Sequence, residues 1–345
     1  MACMNVAQPP IPSPEQIGIL LQLQQIFMPQ AQRQRDAAYK RQAKPAEDVA
    51  QELRFVHYTS AEAALSIIKS KRLWMRNAVC MSDYREVQHG FDIFNKFFSE
   101  TAKMEAFVKA VDACVPGAAK AAIDLFNRWW RDIRFNTFIT SVSEHDNSED
   151  LHGRLSMWRA FGLNTARVAL VFKVPKMSLG AFALGLLFNP VGYLPESEVY
   201  AVIQEVMDNL HSRQEFLGSI DRQLVVGTIF DMLLVGVTCL KHEGFQEERE
   251  WRAIYCPRFN GSPLMESRIE VIGGVPQTVY RLPLDVSVSS ALVDLDFPRL
   301  FNRLIIGPSA YPWAMFEAFG EALTQTGVAD ARERIYTSNI PIRTA

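Results

Sequence analysis

Residues 245–255, with the sequence FQEEREWRAIY, decide how the rest of this chain is interpreted. Charged residues give way to aromatic and β-branched ones, which predicts a loop that runs into a strand. In an extended chain alternate side chains share a face, so Glu248, Glu250 and Arg252 are predicted to point the same way. Two carboxylates and a guanidinium on an otherwise apolar strand need ionic partners or a ligand if the strand is covered. The pattern also fits the solvated face of an edge strand, and both interpretations stay open at this point.

Length and composition indicate an ordinary globular protein. With 345 residues the chain can bury a large core, and 48% of its residues are apolar against 21% charged. The formal net charge of −2 provides no overall attraction to nucleic acid or to anionic membranes. A local basic patch is compatible with this net charge.

The cysteines predict a reducing compartment. All five are scattered, and none has the C-x-x-C spacing of a redox or zinc site. The chain shows neither an apolar run of about twenty residues nor a secretory signal, so we expect a cytoplasmic location and no membrane partner.

The first fifty residues differ from the rest, being rich in Gln, Pro and Ala. The segment Ser13–Gln16 supplies an N-cap, a first-turn proline and a capping-box partner, which predicts a helix through about Phe27. The polar run that follows is predicted to be an exposed helix or a linker. We therefore divide the chain into a helical or linker extension, residues 1–50, and a body, residues 51–345, that should fold without it.

Short strands in the body are separated by helices and long loops, without regular βαβ repetition. Strands are predicted at, among others, Leu53–His57, Phe135–Ser143 and Arg167–Val174, and helices at Ala63–Lys71 and across most of 195–241. This distribution predicts an α+β fold.

Several common catalytic motifs are missing. The chain has no G-x-G-x-x-G, no P-loop, no G-x-S-x-G and no H-E-x-x-H. The histidines show no metal-ligand spacing, and no metal site is predicted. His145 and His152 flank an acidic segment that suits a cation, but an exposed, solvated loop explains residues 144–153 as well.

The chain resembles the bacterial DUF2971 family (domain of unknown function 2971) over about residues 53–345. The resemblance is carried by the order of these pieces: His57-Tyr58-Thr59-Ser60, Leu73-Trp74, Met81-Ser82-Asp83 with Glu86 and Gly90, Ser143, Trp158, Lys241 with Phe245, Glu248, Glu250 and Arg252, Ile306-Gly307-Pro308, and Ser338 to Arg343. At a coarser level that family resembles the ADP-ribosyltransferase superfold. This implies a split, mixed β core with inserted helices.

The second resemblance implies NAD as the substrate and Glu250 as the main catalytic residue. ADP-ribose transfer passes through an oxocarbenium-like state, as glycoside hydrolysis does. Glu250 would hold a hydroxyl of the nicotinamide ribose and stabilise the positive charge. Glu248 would orient or deprotonate the acceptor, and Ser141 and Ser143, from a neighbouring strand, would support Glu250.

The same resemblance implies the residues that bind NAD. His57 would hold the adenosine-side ribose, with Tyr58 and Thr59 beside it. Tyr58 or Trp158 would stack on nicotinamide. Either Arg252 or Arg159 would meet the pyrophosphate. These residues also have a plainer interpretation. His57 would be a hydrogen-bonded residue at a strand-to-helix junction, Tyr58 and Trp158 would belong to the core, and Arg252 would neutralise a neighbouring glutamate.

The predicted function is therefore an NAD-dependent ADP-ribosyltransferase, of the kind used as a toxin or defence effector. Its acceptor is unknown, with a protein side chain, nucleic acid, a small molecule and water all open. Three alternatives remain: an NAD glycohydrolase, a non-catalytic nucleotide-binding or interaction module, and a metal-dependent nuclease. The nuclease would use Asp83, Glu86, Glu248 and Glu250.

Overall fold

The computed structural model describes residues 11–43, 50, 52–81, 85–160 and 166–341, without the side chains of residues 85–87. Asp83 and the side chain of Glu86 lie outside this part. The helices are α1 (Pro14–Phe27), α2 (Pro29–Arg41), α3 (Ala61–Ser70), α4 (Arg85–Ser99), α5 (Thr101–Asp112), α6 (Ala118–Phe135), α7 (Leu155–Ala160), α8 (Leu179–Ala183), α9 (Glu196–Ser212), α10 (Gln214–Gly218), α11 (Arg222–Thr238), α12 (Phe297–Leu300) and α13 (Pro312–Gln325).

Ten of the strands form one sheet. The strands are β1 (Glu52–Ser60), β2 (Arg72–Asn77), β3 (Phe138–Glu144), β4 (Arg167–Pro175), β5 (Leu186–Pro190), β6 (Gly192–Tyr193), β7 (Leu240–Lys241), β8 (Glu250–Tyr255), β9 (Glu266–Ile272), β10 (Val275–Pro283), β11 (Phe301–Ile306) and β12 (Ile335–Thr337). The order is β12-β11-β4-β1-β3-β2-β10-β9, with β8 attached to β3 and β5 attached to β8. Within this sheet, as far as the structure describes it, only β11 and β12 pair in parallel, so the sheet is mixed and the predicted α+β class is confirmed. Strands β6 and β7 form a separate parallel pair.

The sheet divides at β3. One edge of β3 is paired with β8 along Phe138–Ser143. The opposite edge meets β1 only at Ser143 and Glu144, and meets β2 only at Phe138 and Ile139. Between these two short contacts β1 and β2 part from β3, which leaves a gap in the sheet beside residues 140–142.

Most of the helices pack into a layer of their own. Helix α11 lies in its centre and is apolar on nearly every side, with buried residues from Val225 to Thr238. Buried side chains of α1, α4, α5, α6 and α9 surround it. A second core lies between the sheet and helices α3 and α13. No helix in the described part of the chain is both long and apolar enough to cross a bilayer.

Residues 11–43 pack as part of this body. The predicted helix and its Ser13 capping box are present in α1. Leu23 and Phe27 are fully buried in the helical core, and Tyr39 of α2 packs with the cluster that contains Trp251. Arg41 also forms an ion pair with Glu144 at 2.6 Å. Residues 29–41 are therefore a helix, one of the two predicted forms, but α2 is only partly exposed. That the body folds without residues 1–50 stays a prediction.

We expect Phe27→Ala to lower the free energy of unfolding by about 3–5 kcal/mol, because it opens a cavity in the helical core. Denaturant unfolding measures this change. Gln22→Ala, on the exposed side of the same helix, should stay within about 0.5 kcal/mol of the wild type. Equal stabilities for the two variants would show that α1 is a detachable extension after all.

Candidate functional site

A cavity of about 590 Å³ opens at the gap in the sheet. Residues from β1, β2, β3, β7, β8 and α7 line it. Seven of the predicted site residues are among them: His57, Tyr58, Ser141, Ser143, Glu248, Glu250 and Arg252.

Strand register explains why these residues meet. Ser143 lies opposite Glu250 of β8 and also opposite Val56 of β1. Ser141 lies opposite Arg252. Directly opposed residues point to the same face of a sheet. The two polar pairs of β3 and β8 therefore lie on one face, next to the place where β1 separates from β3.

Glu250 is held at the floor of the cavity by an ion cluster. Its Oε1 accepts from Nε of Arg252 at 2.8 Å and from the Ser141 hydroxyl. Its Oε2 accepts from Nζ of Lys241 at 3.1 Å and from Nη2 of Arg252 at 3.2 Å. Arg252 also donates to the Thr238 carbonyl. Arg252 is thus occupied in fixing Glu250, and the pyrophosphate role predicted for it would require it to leave that carboxylate.

The cluster keeps Glu250 ionised. Burial raises the pKa of this carboxyl, but the charge and hydrogen bonds of Arg252, the charge of Lys241 and the Ser141 hydroxyl together lower it to about 2. The Tyr193 hydroxyl accepts from the backbone N–H of Glu250 at 2.9 Å, which fixes the first residue of the strand as well.

Glu248 reaches the cavity by a route that the sequence pattern did not predict. It ends a 3-10 helix, Glu243–Glu248, and does not belong to β8. Arg249 has φ +43°, in the left-handed region that few non-glycine residues adopt. The alternation expected from 248 to 252 is therefore wrong at Glu248. The two carboxylates still meet, because Nζ of Lys241 lies 2.8 Å from Oε2 of Glu248 and 3.1 Å from Oε2 of Glu250.

The exposure of the two carboxylates differs. The side chain of Glu248 is 34% exposed and that of Glu250 only 7%. A ligand that enters the cavity meets Glu248 first and reaches Glu250 at the floor.

Arg154 ties the surrounding loops together. Its guanidinium donates to Glu149 at 2.9 Å and to the carbonyls of Glu247 at 2.7 Å and Glu144 at 3.0 Å. It therefore joins the loop after β3 to the 3-10 helix that carries Glu248. Arg154 was absent from the sequence predictions.

The acidic loop after β3 is partly buried and not solvated throughout as expected. Glu144 and His145 are buried, and Nε2 of His145 lies 3.0 Å from Asp150. Asp150 also pairs with Arg54 at 2.6 Å and Arg303 at 3.2 Å. These cations occupy the oxygens that a metal would need. Within the described ranges no group of three or more His, Cys, Asp or Glu side chains is arranged to hold a metal ion.

His57 lies where β1 separates from β3. Its Nδ1 is 3.1 Å from the Ser141 carbonyl, and because a carbonyl only accepts, Nδ1 carries the proton. Burial lowers the pKa of His57, although this hydrogen bond opposes the effect, so the ring is neutral near pH 7. Nε2 is then an acceptor on a residue that lines the cavity.

The aromatic residues divide between cavity and core. Tyr58 lines the cavity, and its hydroxyl accepts from the backbone N–H of Arg154 at 2.7 Å. Trp158 lies behind it at 4.8 Å, edge to face, is 3% exposed and does not line the cavity. Trp158 thus lies in the core, as in its plainer interpretation, and of the two residues predicted to stack on nicotinamide only Tyr58 lines the cavity. Thr59 and Arg159 are also outside the cavity lining, and Arg159 is exposed on α7.

Several cavity residues had no predicted role. Lys241 was noticed only as part of the family pattern. Trp74, Arg76 and Phe245 also line the cavity, and both Trp74 and Phe245 are more than one third exposed. The sequence offered one signal for Lys241, its position just after the apolar stretch of α11. A lysine that is buried there requires acidic partners for its ammonium group.

Comparisons with known proteins support one part of the resemblance. Residues 157–253 match the model of the family described as Protein of unknown function (DUF2971). This segment contains Lys241, Glu248, Glu250 and Arg252, but not His57 or the residues of β3. No curated protein and no solved structure matches the chain. The family description names no activity.

Acid unfolding should report on Glu250. Its pKa of about 2 lies below the ordinary value of 4.5, so its stabilising contribution is complete above pH 4.5 and is lost as the pH falls towards 2. The shift corresponds to on the order of 3 kcal/mol. We expect the wild type to lose that much more unfolding free energy than Glu250→Gln over this range, measured by denaturant titration at each pH. Glu243→Gln, at an exposed position, should follow the wild type, and parallel curves for all three proteins would contradict the ion cluster.

Proposed function

We propose that this protein is an NAD-dependent ADP-ribosyltransferase whose reaction takes place in the cavity at β3. The observation that carries the proposal is the convergence of His57, Ser143 and Glu250, from three neighbouring strands, on one cavity of about 590 Å³. The resemblance implied these residues separately, and they are far apart in the sequence. The cavity volume lies within the usual range for small-molecule and cofactor sites.

Glu250 suits the stabilisation of an oxocarbenium-like ribose. It is negatively charged at any pH well above 2, so it needs no proton acceptor before the reaction. Its orientation is fixed by Arg252 and Ser141, and a preorganised charge costs no rearrangement when the transition state forms. Lys241 and Arg252 partly offset the charge of Glu250 and already donate to its oxygens, so a ribose hydroxyl would share an oxygen with one of them.

Glu248 suits the acceptor side of the reaction. It is the more exposed carboxylate and lies on the wall of the cavity. Lys241 holds it near Glu250, so an acceptor bound by Glu248 would lie close to the reacting ribose. The neutral His57 offers an acceptor nitrogen to a hydroxyl of the other ribose. Trp74 and Phe245 offer exposed ring faces for nicotinamide or adenine.

We expect Glu250→Gln to lower the rate of nicotinamide release from NAD by about a hundredfold or more, because it removes a charge placed at the reacting centre. Chromatographic detection of nicotinamide measures the rate. Glu243→Gln is the matched control, since it makes the same change at an exposed residue that does not line the cavity. Full activity of Glu250→Gln would refute the role.

Folding must be followed in the same samples. Glu250→Gln removes the carboxylate shared by Arg252 and Lys241, and breaking a buried pair costs about 3–5 kcal/mol, although Lys241 keeps its ion pair with Glu248. Glu248→Gln is the second variant, because its side chain is one third exposed and its loss should leave the fold intact. A slow but folded Glu248→Gln protein would support the proposal independently of stability.

The fate of the ADP-ribose separates the alternatives. With radiolabelled NAD, label attached to a macromolecule supports a transferase, and free ADP-ribose supports a glycohydrolase. No NAD binding by calorimetry would leave a non-catalytic module. The nuclease alternative stays open, because Asp83 and the side chain of Glu86, two of its four carboxylates, lie outside the described residues. A toxin or defence role stays a prediction.

A further inference from the structure

A second, basic groove of about 370 Å³ lies away from the cavity, at the start of β11. Its charged and aromatic lining consists of Lys173, Arg299, Phe301, Arg303, Arg334 and Tyr336. These residues come from β4, α12, β11, the segment before β12 and β12 itself. Four cations from separate elements are thus gathered at one hollow in a chain with a formal net charge of −2.

The positive charge of this groove is only slightly neutralised. Lys173, Arg299 and Arg334 form no ion pair with a carboxylate in the part of the chain that the structure describes. Arg303 pairs with Asp150 at 3.2 Å, but that carboxylate also pairs with Arg54 at 2.6 Å. Like charges gathered in one hollow repel each other and raise the local concentration of anions. The groove therefore favours a ligand with several negative charges.

Two of the guanidinium groups are already fixed in place. Arg334 donates to the Phe301 carbonyl at 3.1 Å. Arg303 donates to the Asp150 carbonyl at 3.1 Å and lies 4.9 Å from the centre of the Tyr336 ring. An arginine held in this way loses little freedom on binding and can present its remaining N–H groups to phosphate oxygens.

Strand register places the groove on the same face of the sheet as the cavity. Glu250, Ser143, Val56, Val171 and Arg303 lie opposite one another in succession across β8, β3, β1, β4 and β11. Directly opposed residues share a face. Neighbouring strands are about 4.8 Å apart, so four steps place Arg303 roughly 19 Å from Glu250 along the sheet.

We propose that this groove binds the phosphate groups of a ligand. The groove is open and its cations are spread over several elements. This suits a run of phosphates, as in a nucleic-acid backbone, better than one enclosed phosphate. The inference concerns binding only and does not depend on the proposed reaction with NAD.

The test is a binding measurement with the full-length protein and no NAD. Fluorescence anisotropy with a labelled single-stranded oligonucleotide measures affinity across a range of salt concentrations. The double variant Lys173→Glu/Arg299→Glu should bind at least tenfold more weakly. Each lost phosphate contact should reduce the magnitude of the slope of log K against log salt by about 0.7, the value for single strands. Both residues are exposed, so the fold should survive, which thermal unfolding checks.

The matched control is Lys120→Glu/Arg128→Glu on α6. It makes the same change in charge at exposed residues outside the groove, and it should bind like the wild type. Arg334→Gln removes one guanidinium without adding a carboxylate. Its affinity for the oligonucleotide should lie between those of the wild type and the double variant.

Inorganic pyrophosphate distinguishes the source of the phosphate. If pyrophosphate binds and the oligonucleotide does not, the groove takes a small phosphorylated ligand. If the oligonucleotide binds more tightly, the groove takes a polymer, and either result supports a phosphate site. Absence of binding by both probes at low salt, or equal losses in the groove and control variants, would overturn the inference. Neither outcome would bear on whether NAD is hydrolysed, or its ADP-ribose transferred, in the cavity at β3.

Discussion

The separation of β1 and β2 from β3 is the constraint on which this molecule depends. A continuous sheet would bury the edge of β3 and leave no room beside it. Because the two neighbours touch β3 only at its ends, the central backbone of β3 faces a cavity. The buried cluster of Glu250, Arg252 and Lys241 forms the floor of this cavity and joins β8 to β7. The cavity and its charge thus arise from one departure from regular strand pairing.

Much of the fold could be predicted from local sequence signals. The capping box at Ser13, the apolar run of α11 and the strand after the glutamates all follow from residues close together in the chain. Strand β2 was not predicted, because RLWMRN combines charged ends with a short apolar centre and shows no clear alternation. The packing of α1 against the body was also missed, since composition marks a boundary but does not show which face of a helix is buried.

The candidate site was only partly predictable for a related reason. Pattern matching identified His57, Ser143 and Glu250, but it assumed that the chain stays extended from Glu248 onwards. A left-handed residue at Arg249 breaks that assumption, and local sequence gives no warning of it. Lys241 acts through Glu248 and Glu250, seven and nine residues further along, and Arg154 acts largely through backbone carbonyls. Such contacts depend on tertiary placement, so no spacing rule could have identified them.

Where β1 has parted from β3, the imidazole of His57 takes the place of a backbone N–H and satisfies the Ser141 carbonyl. The side chain therefore completes the architecture whether or not any reaction occurs. Selection for folding alone could retain a histidine here in a descendant that had lost its chemistry. Under the proposed function, the carboxylates of the 3-10 helix and of β8 would consequently distinguish active from inactive relatives of this chain better than this histidine.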